Sequence, residues 1–330
     1  YIFPDSWCAY SGRQVRALET NRLGQRQAGE SMRRMTRGQE WFGARRFLNG
    51  LVRFLPGYNP VMRIVVKPLP NRTWLRRLPV APMDVEVRLS TGSVFMVRPD
   101  RCEIAKQLYW AGGLRETAED AVALALFERM ASESDVALDI GCNSGLFSMA
   151  AARANPLCRV LAFDLLPEAF EVCFANLVRN NLVSQVAPYL RGIGRRGASF
   201  RVPARVGGAT MPSSISTEFQ FDDGVDVPIV SLDSLSAAIG EAKSVAIKID
   251  VEATEHDLFE NGHAFISRYR PTIICEVLKR ARVEAYGPML AGMGYKFALI
   301  TPDGPAPRDH LEPHPSFKDW LFTPAPLAVN

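Results

Sequence analysis

The chain has 330 residues, of which 47% are hydrophobic and 22% are charged, and it carries a formal net charge of +4. This composition is ordinary for a soluble globular protein with one large domain or two modest ones, and no apolar stretch is long enough to span a membrane. The six cysteines are scattered without a C-x-x-C pair, which argues against a zinc knuckle or a disulfide framework and favours a reducing, cytoplasmic location.

The first 82 residues are predicted to form a basic arm and a linker. Residues 1–80 contain 15 lysines and arginines against four acidic residues, a net charge of +11, whereas the rest of the chain carries −7. Aromatic residues lie between the arginines, and such an arm is able to contact nucleic acid or an anionic membrane surface. We favour the alternative of a solvated, partly helical or disordered arm, followed by a proline-rich linker.

A regular hydrophobic pattern begins after residue 82 and predicts one large domain over residues 83–330. Its first part, residues 83–131, is predicted to contain an antiparallel hairpin and a helix. The strands that follow are predicted over residues 136–140, 160–164, 186–190, 245–250, 272–277, 295–300 and 320–323. The helices between them are predicted over residues 146–154, 168–180, 255–267 and 283–293. This alternation predicts a doubly wound α/β sheet.

Residues 192–231 interrupt this rhythm. The segment is glycine-rich and contains only two short strand-like pieces, SFRVP and VPIVSL. An insertion of about 40 residues between sheet strands commonly carries function. We therefore predict that it is a lid or a flap that faces the substrate.

The first βα turn of the domain carries the most informative motif. Residues 136–145 read VALDIGCNSG, an apolar run containing Asp139 that is followed by a turn with Gly141 and Gly145. About 20 positions later a second apolar run ends in Asp164. This arrangement predicts the opening β-α-β unit of a nucleoside-binding domain, in which Asp164 accepts hydrogen bonds from two ribose hydroxyls.

The sequence of this turn indicates which nucleoside the domain binds. A dinucleotide site would carry G-x-G-x-x-G, with a pyrophosphate at the helix N-terminus, whereas Ser148 stands where the third glycine is expected. The observed D-x-G-x-x-x-G pattern, with Asn143 inside the turn, suits S-adenosylmethionine, which has no phosphate to bind. The alternative is that Gly141 and Gly145 serve only the backbone of the turn.

A second acidic motif follows the fourth predicted strand of the domain. The sequence KIDVEATEHDLF, residues 248–259, carries Asp250 and Glu252, and the next strand ends in Glu276. Glu276 either lines the pocket or pairs with Lys279. In open α/β sheets, ligands bind at the carboxyl ends of the strands. The carboxylates predicted to meet there are Asp139, Asp164, Asp250 and Glu276.

Together the two motifs resemble those of the FkbM family of S-adenosylmethionine-dependent methyltransferases, whose patterns are D-x-G-A-N-x-G and K-I-D-V-E-G-x-E. The matching residues are Asp139, Gly141, Asn143 and Gly145 in the first motif and Lys248, Asp250, Glu252 and Glu255 in the second. Cys142 and Ala253 replace an alanine and a glycine of the family patterns, and the resemblance covers residues 84–325. It implies a class I methyltransferase (Rossmann-like) fold, a doubly wound seven-stranded sheet with one antiparallel edge strand and helices on both faces.

The resemblance implies S-adenosylmethionine as the cofactor, and the chemistry of methyl transfer suggests a role for each motif residue. The predicted cofactor-binding residues are Asp139, Gly141, Asn143 and Gly145 on the methionine side and Asp164 at the ribose. Asp250 and Glu252 are predicted to be catalytic, facing the methyl group and the acceptor hydroxyl, one of them as a base or as a ligand for a divalent cation. Oxygen ligands suit such a cation, but the sequence shows no dedicated cage for one.

Structural roles compete with several of these assignments. Asp250 would then orient the cofactor without proton transfer, and Glu252 would be a helix N-terminal carboxylate favoured by the helix dipole. Glu255 and His256 are weaker candidates, for which a first-turn structural role and a surface or hydrogen-bonded imidazole are favoured. The histidines of the proline-rich loop, expected to be solvated, are His310 and His314.

Three functions fit these observations, of which two are enzymes and one is not. We favour an enzyme that methylates a hydroxyl of a small molecule or sugar-containing metabolite. The second is an RNA methyltransferase that uses the basic arm, although the sequence lacks a motif for base modification such as N-P-P-Y. The third is a non-catalytic cofactor-binding protein, against which the presence of both acidic motifs argues.

Overall fold

A computed structural model describes residues 57–66, 80, 83–97, 99, 102–111, 118–203, 221 and 224–324. The predicted basic arm lies outside the described residues, apart from residues 57–66 and 80; within them Tyr58–Val66 forms helix α1. Within the described ranges, no helix combines the length and the apolar character needed to cross a bilayer.

Strands and helices alternate along the rest of the chain. The strands are β1 (Val85–Leu89), β2 (Gly92–Met96), β3 (Val136–Ile140), β4 (Arg159–Asp164), β5 (Val186–Leu190), β6 (Gly192–Ile193), β7 (Ser199–Val202), β8 (Val225–Val230), β9 (Val245–Ile249), β10 (Thr272–Glu276), β11 (Lys296–Thr301), β12 (Gly304–Arg308) and β13 (Asp319–Thr323). The helices after α1 are α2 (Glu103–Ala111), α3 (Ala118–Ser132), α4 (Leu146–Ala154), α5 (Pro167–Arg179), α6 (Ser236–Ile239), α7 (Glu255–Glu260), α8 (His263–Tyr269) and α9 (Gly287–Gly292).

The central sheet confirms the predicted doubly wound α/β class. Among the described residues it has eight strands, in the order β12-β11-β13-β10-β9-β3-β4-β5. The five strands from β10 to β5 are parallel to one another. β13 pairs antiparallel with both β10 and β11. The carboxyl ends of the parallel strands therefore share one edge of the sheet, which is where ligands bind in this class.

The sheet differs in detail from the predicted seven strands with an antiparallel strand at the edge. The additional strand is β12, which forms a hairpin with β11. Its sequence GPAPR contains Pro305 and Pro307, which cannot donate hydrogen bonds to a sheet and are tolerated at an edge. β12 therefore occupies the edge, and the antiparallel β13, whose five residues are all buried, lies inside the sheet.

The two faces of the sheet bury side chains of different size. On one face, the small residues Ala137, Ala162 and Ala246 allow α3 and α4 to pack closely. The opposite face carries larger apolar residues of the same strands, such as Leu138 and Ile247. Because side chains alternate along a strand, the acidic residue of β3 and the lysine of β9 lie on the alanine face.

Two predicted helices differ from the observed ones. The helix predicted over residues 255–267 is wrong as a single element, because α7 and α8 are separated at Gly262. A Cβ atom at Gly262 would lie 2.7 Å from Leu232 Cδ2, so only glycine permits this close contact between the two segments. The helix predicted over residues 283–293 is also shorter, because a 3₁₀ turn over Val283–Ala285 precedes α9.

The β1–β2 hairpin is attached to α5 by two asparagine side chains. Asn180 Oδ1 accepts a hydrogen bond from the Phe95 N–H at 2.7 Å, and Asn180 Nδ2 donates to the Phe95 carbonyl at 2.7 Å. Asn176 Oδ1 accepts from the Val97 N–H at 2.7 Å. These bonds satisfy backbone groups of β2 as a neighbouring strand would, and they fix the hairpin to the domain.

The described part of the predicted insertion 192–231 forms a small sheet in the order β6-β8-β7. β8 pairs parallel with β6 and antiparallel with β7. Residues 204–220 and 222–223 of the insertion lie outside the described residues. Its role as a lid or flap therefore stays a prediction.

Candidate active site

A cavity of about 800 Å³ lies at the carboxyl ends of β3, β4, β9 and β10. The sequence-predicted residues that line it are Asp139, Gly141, Asn143, Asp164, Asp250 and Glu252. The predicted cofactor-binding residue Gly145 does not itself line the cavity, although its chain neighbours Ser144 and Leu146 do. The described insertion also contributes to the wall, through residues that include Phe200 and Ile229. The structure thus brings both sequence motifs to one cavity.

The turn between β3 and α4 has a backbone that requires its glycines. Gly141 has a φ of 82°, and a Cβ atom there would overlap the carbonyl oxygen of Asp250. Gly145 has a φ of 76°, and its Cβ atom would lie 2.6 Å from Cys173 Sγ. Asn143 also adopts a left-handed conformation, with a φ of 46°. The first glycine therefore lets the two acidic motifs touch through their backbones.

Asp164 at the end of β4 holds this turn in place. Its Oδ2 accepts a hydrogen bond from the Asn143 N–H, and its Oδ1 accepts one from the Leu166 N–H, both at 2.8 Å. Burial raises the pKa of Asp164 to about 6, although the two N–H groups oppose the shift. Each carboxylate oxygen has a further lone pair for a ligand hydroxyl. The predicted contact with a ribose stays a prediction that this geometry permits.

Asp139 is buried on the alanine face of the sheet and interacts with two residues. Ser148 Oγ donates a hydrogen bond to Asp139 Oδ2 at 2.5 Å, and Lys248 is its partner across β3 and β9. Burial raises the pKa of Asp139 to about 6, and the hydroxyl and the lysine lower it in part. The sequence pattern marked Ser148 only as the absence of a third glycine. The structure gives it a positive function as the donor to Asp139.

Three carboxylates converge where β9 and β10 end. Oxygens of Asp250, Glu252 and Glu276 all lie within 4.8 Å of one another. All three residues line the cavity, and the backbone of Asp250 adjoins the β3–α4 turn at Gly141. Glu276 thus belongs to the pocket, which was one of the two alternatives left open by the sequence.

Each of these acids also faces a cationic side chain. Lys248 Nζ lies 3.8 Å from Asp250 Oδ2, and Arg280 Nη2 lies 3.4 Å from Glu252 Oε2. Lys318 Nζ donates to Glu276 Oε1, so the expected alternative partner Lys279 is wrong. The spacing of the three acids would suit a divalent cation, but the positive charge that such an ion would supply is already present on this chain.

Glu252 begins a strained turn that Glu255 stabilises. Glu252 and Ala253 have φ angles of 54° and 70°, a conformation that glycine adopts without strain. Ala253, which replaces the glycine of the family pattern, donates its N–H to Glu255 Oε1 at 2.9 Å. Glu255 is fully buried and lines neither cavity of this region. These contacts support the structural role for Glu255 over a catalytic one.

The histidines differ in their surroundings. His256 is half-buried, 4.0 Å from Asp257 Oδ1, and lines neither cavity. His310 is largely exposed, as expected for a solvated residue. His314 is partly exposed and also has local contacts: its Nδ1 accepts the N–H groups of Ser316 at 3.2 Å and Phe317 at 3.1 Å, and its ring stacks on Phe317.

A second cavity, of about 620 Å³, adjoins the first. His314 and Phe317 are part of its wall. The residues that line both cavities are Asp120, Glu252, Leu278 and Lys318. The acidic cluster, which consists of Asp250, Glu252 and Glu276, therefore reaches both cavities through Glu252. The first of these cavities also contains the glycine turn and Asp164.

Comparison with known families and structures shows what the chain is similar to. Residues 139–297 match the family model described as the methyltransferase FkbM domain. This segment begins at the first acidic residue of the cavity and includes both sequence motifs. No curated protein matches the chain significantly.

Several solved structures are similar to part of this chain at low sequence identity and with TM-scores below 0.5. Methyltransferase FkbM from Methylobacillus flagellatus KT is 14% identical, with a TM-score of 0.39 over 66% of this chain and 54% of that protein. An O-methyltransferase from Bacillus cereus in complex with SAH is 14% identical, with a TM-score of 0.33 over 61% of this chain and 77% of that one. A tRNA methyltransferase from B. subtilis is 14% identical, with a TM-score of 0.34 over 63% and 64% of the two chains.

Proposed function

We propose that this chain, whose residues 139–297 match the methyltransferase FkbM domain, transfers a methyl group from S-adenosylmethionine to a hydroxyl of a small molecule or sugar-containing metabolite. The observation that carries the proposal is the convergence of three carboxylates on the wall of the cavity that the glycine turn and Asp164 also line. A hydroxyl acceptor must lose a proton as it is methylated, and carboxylates accept protons.

The part of the cavity near β3 and β4 fits the cofactor. Gly141 lets the turn lie directly against the backbone at the end of β9, and Asp164 presents lone pairs for two hydroxyls. Asp139 adds a second carboxylate near the turn, which favours a ligand with positive charge. Bound there, S-adenosylmethionine would supply an electrophilic methyl group on a sulfonium.

Asp250 and Glu252 are proposed to contact the acceptor. Both line the first cavity, and Glu252 also reaches the second, so an acceptor entering from either space would meet them. Their carboxylates are hydrogen-bond acceptors that hold a hydroxyl in place for in-line attack. Positioning of this kind accounts for several kcal/mol of a methyl-transfer barrier.

Isotope labelling tests this function. Wild-type protein is incubated with methyl-labelled S-adenosylmethionine and a low-molecular-weight extract of the source cells, and mass spectrometry identifies what gains a methyl group. We expect a labelled ether of a hydroxyl compound. Asp250→Asn and Glu252→Gln should each lower turnover about 10- to 100-fold, because a hydrogen bond to a charged group contributes about 1.5–3 kcal/mol.

The matched control is Asp226→Asn, which alters an exposed carboxylate paired with Arg201 on the small sheet, outside both cavities. This variant should turn over like the wild type. Unchanged turnover in both Asp250→Asn and Glu252→Gln would remove these residues from the chemistry. The RNA and membrane alternatives depend on residues 1–80, nearly all of which lie outside the described residues, and they stay predictions.

A further inference from the structure

We propose that Glu276 is the base that takes the proton of the acceptor hydroxyl, and that Lys318 positions its carboxylate. The proposal rests on the proposed function and adds a catalytic residue to it. Both side chains line the cavity, and neither belongs to the two sequence motifs that define the cofactor turn and the acidic segment.

The two oxygens of Glu276 have different surroundings. Oε1 accepts a hydrogen bond from Lys318 Nζ. Oε2 is buried and has no hydrogen-bond partner among the described residues. A buried carboxylate oxygen without a partner is costly, and the cost disappears when a ligand donates a hydrogen bond to it. An acceptor hydroxyl at the acidic cluster is a donor of the required kind.

The neighbouring acids are less suited to this step. The side chain of Asp250 is 38% exposed and that of Glu252 is 22% exposed, whereas that of Glu276 is only 4% exposed. Water competes with a substrate for the exposed carboxylates. Glu276 is removed from that competition, and its burial favours the protonated form of its carboxyl group.

The charges around Glu276 come from β9, the β9–α7 turn and the start of β13. Asp250 and Glu252 bring negative charge, and Asp319 lies opposite Glu276 across β10 and β13. Lys248 and Lys318 bring positive charge. Burial first and Asp250 second raise the pKa of Glu276 to about 8, while the lysines oppose the shift. A base of this strength is matched to transfer near neutral pH.

The proton and electron balance of the step is simple. A lone pair of the hydroxyl oxygen forms the new carbon–oxygen bond while the methyl–sulfur bond breaks and its electron pair stays on sulfur. The hydroxyl proton moves to Glu276 Oε2, which leaves a neutral carboxylic acid beside the protonated Lys318. The carboxylic acid then releases the proton to water in the first cavity, whose wall includes Glu276.

The test compares Glu276→Gln with wild type in transfer of labelled methyl groups to the cell extract. Glutamine keeps the shape and the contact with Lys318 but cannot take a proton, so we expect turnover to fall about 100- to 10,000-fold. Binding of S-adenosylhomocysteine by calorimetry should stay within threefold. In the wild type, kcat/KM should rise with pH and level off above about 8, because the base is active only when ionised.

Three further variants separate this role from a structural one. Lys318→Met should shift the rise of kcat/KM to higher pH, since loss of a neighbouring cation raises the pKa of Glu276. Glu276→Asp should have a lower kcat/KM than wild type, but its kcat/KM should still rise with pH. Glu255→Gln is the matched control. Burial raises the pKa of Glu255 to about 7, but this residue lines neither cavity. The variant should therefore keep a kcat/KM that rises with pH and levels off above about 8.

Two results would overturn the assignment while leaving methyl transfer intact. One is a Glu276→Gln turnover within threefold of wild type. The other is wild-type activity that chelation with EDTA abolishes and added Mg²⁺ restores, since the acids would then bind a metal instead of a proton. If the wild type labels no hydroxyl compound at all, the proposed function fails, and this inference fails with it.

Discussion

The Gly141→Ala variant is expected to lose about 4 kcal/mol or more of its free energy of unfolding, or to fail to fold. The added Cβ atom would overlap the carbonyl oxygen of Asp250, and it would have to do so at a φ of 82°. Because both Gly141 and the Asp250 carbonyl belong to the backbone, no side chain can rotate to remove the overlap. The β3–α4 turn would have to move away from the end of β9. Such a movement separates the cofactor turn from the acidic cluster.

Urea unfolding and calorimetry with S-adenosylhomocysteine measure both effects, and affinity should fall at least 100-fold in any folded variant. The matched control is Gly197→Ala, because Gly197 has a nearly equal φ of 78° but no atom within 4 Å of its Cβ position. The control should lose only the cost of a left-handed alanine, about 1–3 kcal/mol. Equal losses in the two variants would mean that the contact between Gly141 and Asp250 does not constrain the site.

The Asp164→Ala variant is expected to bind S-adenosylmethionine at least 100-fold more weakly than wild type. Two ribose hydroxyls would lose a charged acceptor, at about 1.5–3 kcal/mol for each hydrogen bond. The N–H groups of Asn143 and Leu166 would also lose their acceptor, so the cofactor turn would become less ordered. Titration calorimetry at pH 7.5 or higher, above the raised pKa of Asp164, gives the full difference.

Asp135→Ala is the matched control for this variant. Asp135 Oδ2 also accepts two backbone N–H groups, of Lys243 at 2.7 Å and Ser244 at 3.2 Å, but it precedes the amino end of β3, away from the cavity. The control should lose stability and keep its affinity. An Asp164→Ala affinity within threefold of wild type would show that this carboxylate does not hold the nucleoside.

The acidic residues of the cavity wall could be predicted from the sequence, because the topology of a parallel sheet determines where the carboxyl ends of its strands lie. In a parallel sheet, residues at the carboxyl ends of neighbouring strands become neighbours whatever the chain does between them. Asp139, Asp164 and Asp250 could therefore be assigned to one place from the positions of their strands alone. The same argument placed Glu276 nearby.

The partners of these acids could not be predicted in the same way. Glu276 pairs with Lys318, which is 42 residues away, because β13 enters the sheet antiparallel beside β10 and sets Asp319 opposite Glu276. The sequence suggested Lys279, which is close in the chain, and gave no indication of this register. Lys318 and Asp319 carry no motif of their own, so the cationic side of the site appears only in the folded protein.

Tertiary packing also explains the helix that was wrongly predicted as continuous. The residues from 255 to 267 have helical spacing, and a single glycine inside such a pattern is tolerated at a cost of about 1 kcal/mol. The break at Gly262 follows from its close contact with Leu232, a residue of another segment. Spacing along one segment contains no information about such a contact.

The central claim is that the glycine turn and Asp164 form the binding site of S-adenosylmethionine. Titration calorimetry of the wild-type protein with S-adenosylmethionine and, separately, with NADH tests it most directly. The account predicts saturable binding of one S-adenosylmethionine per chain and no detectable binding of NADH. Binding of NADH without binding of S-adenosylmethionine would contradict it.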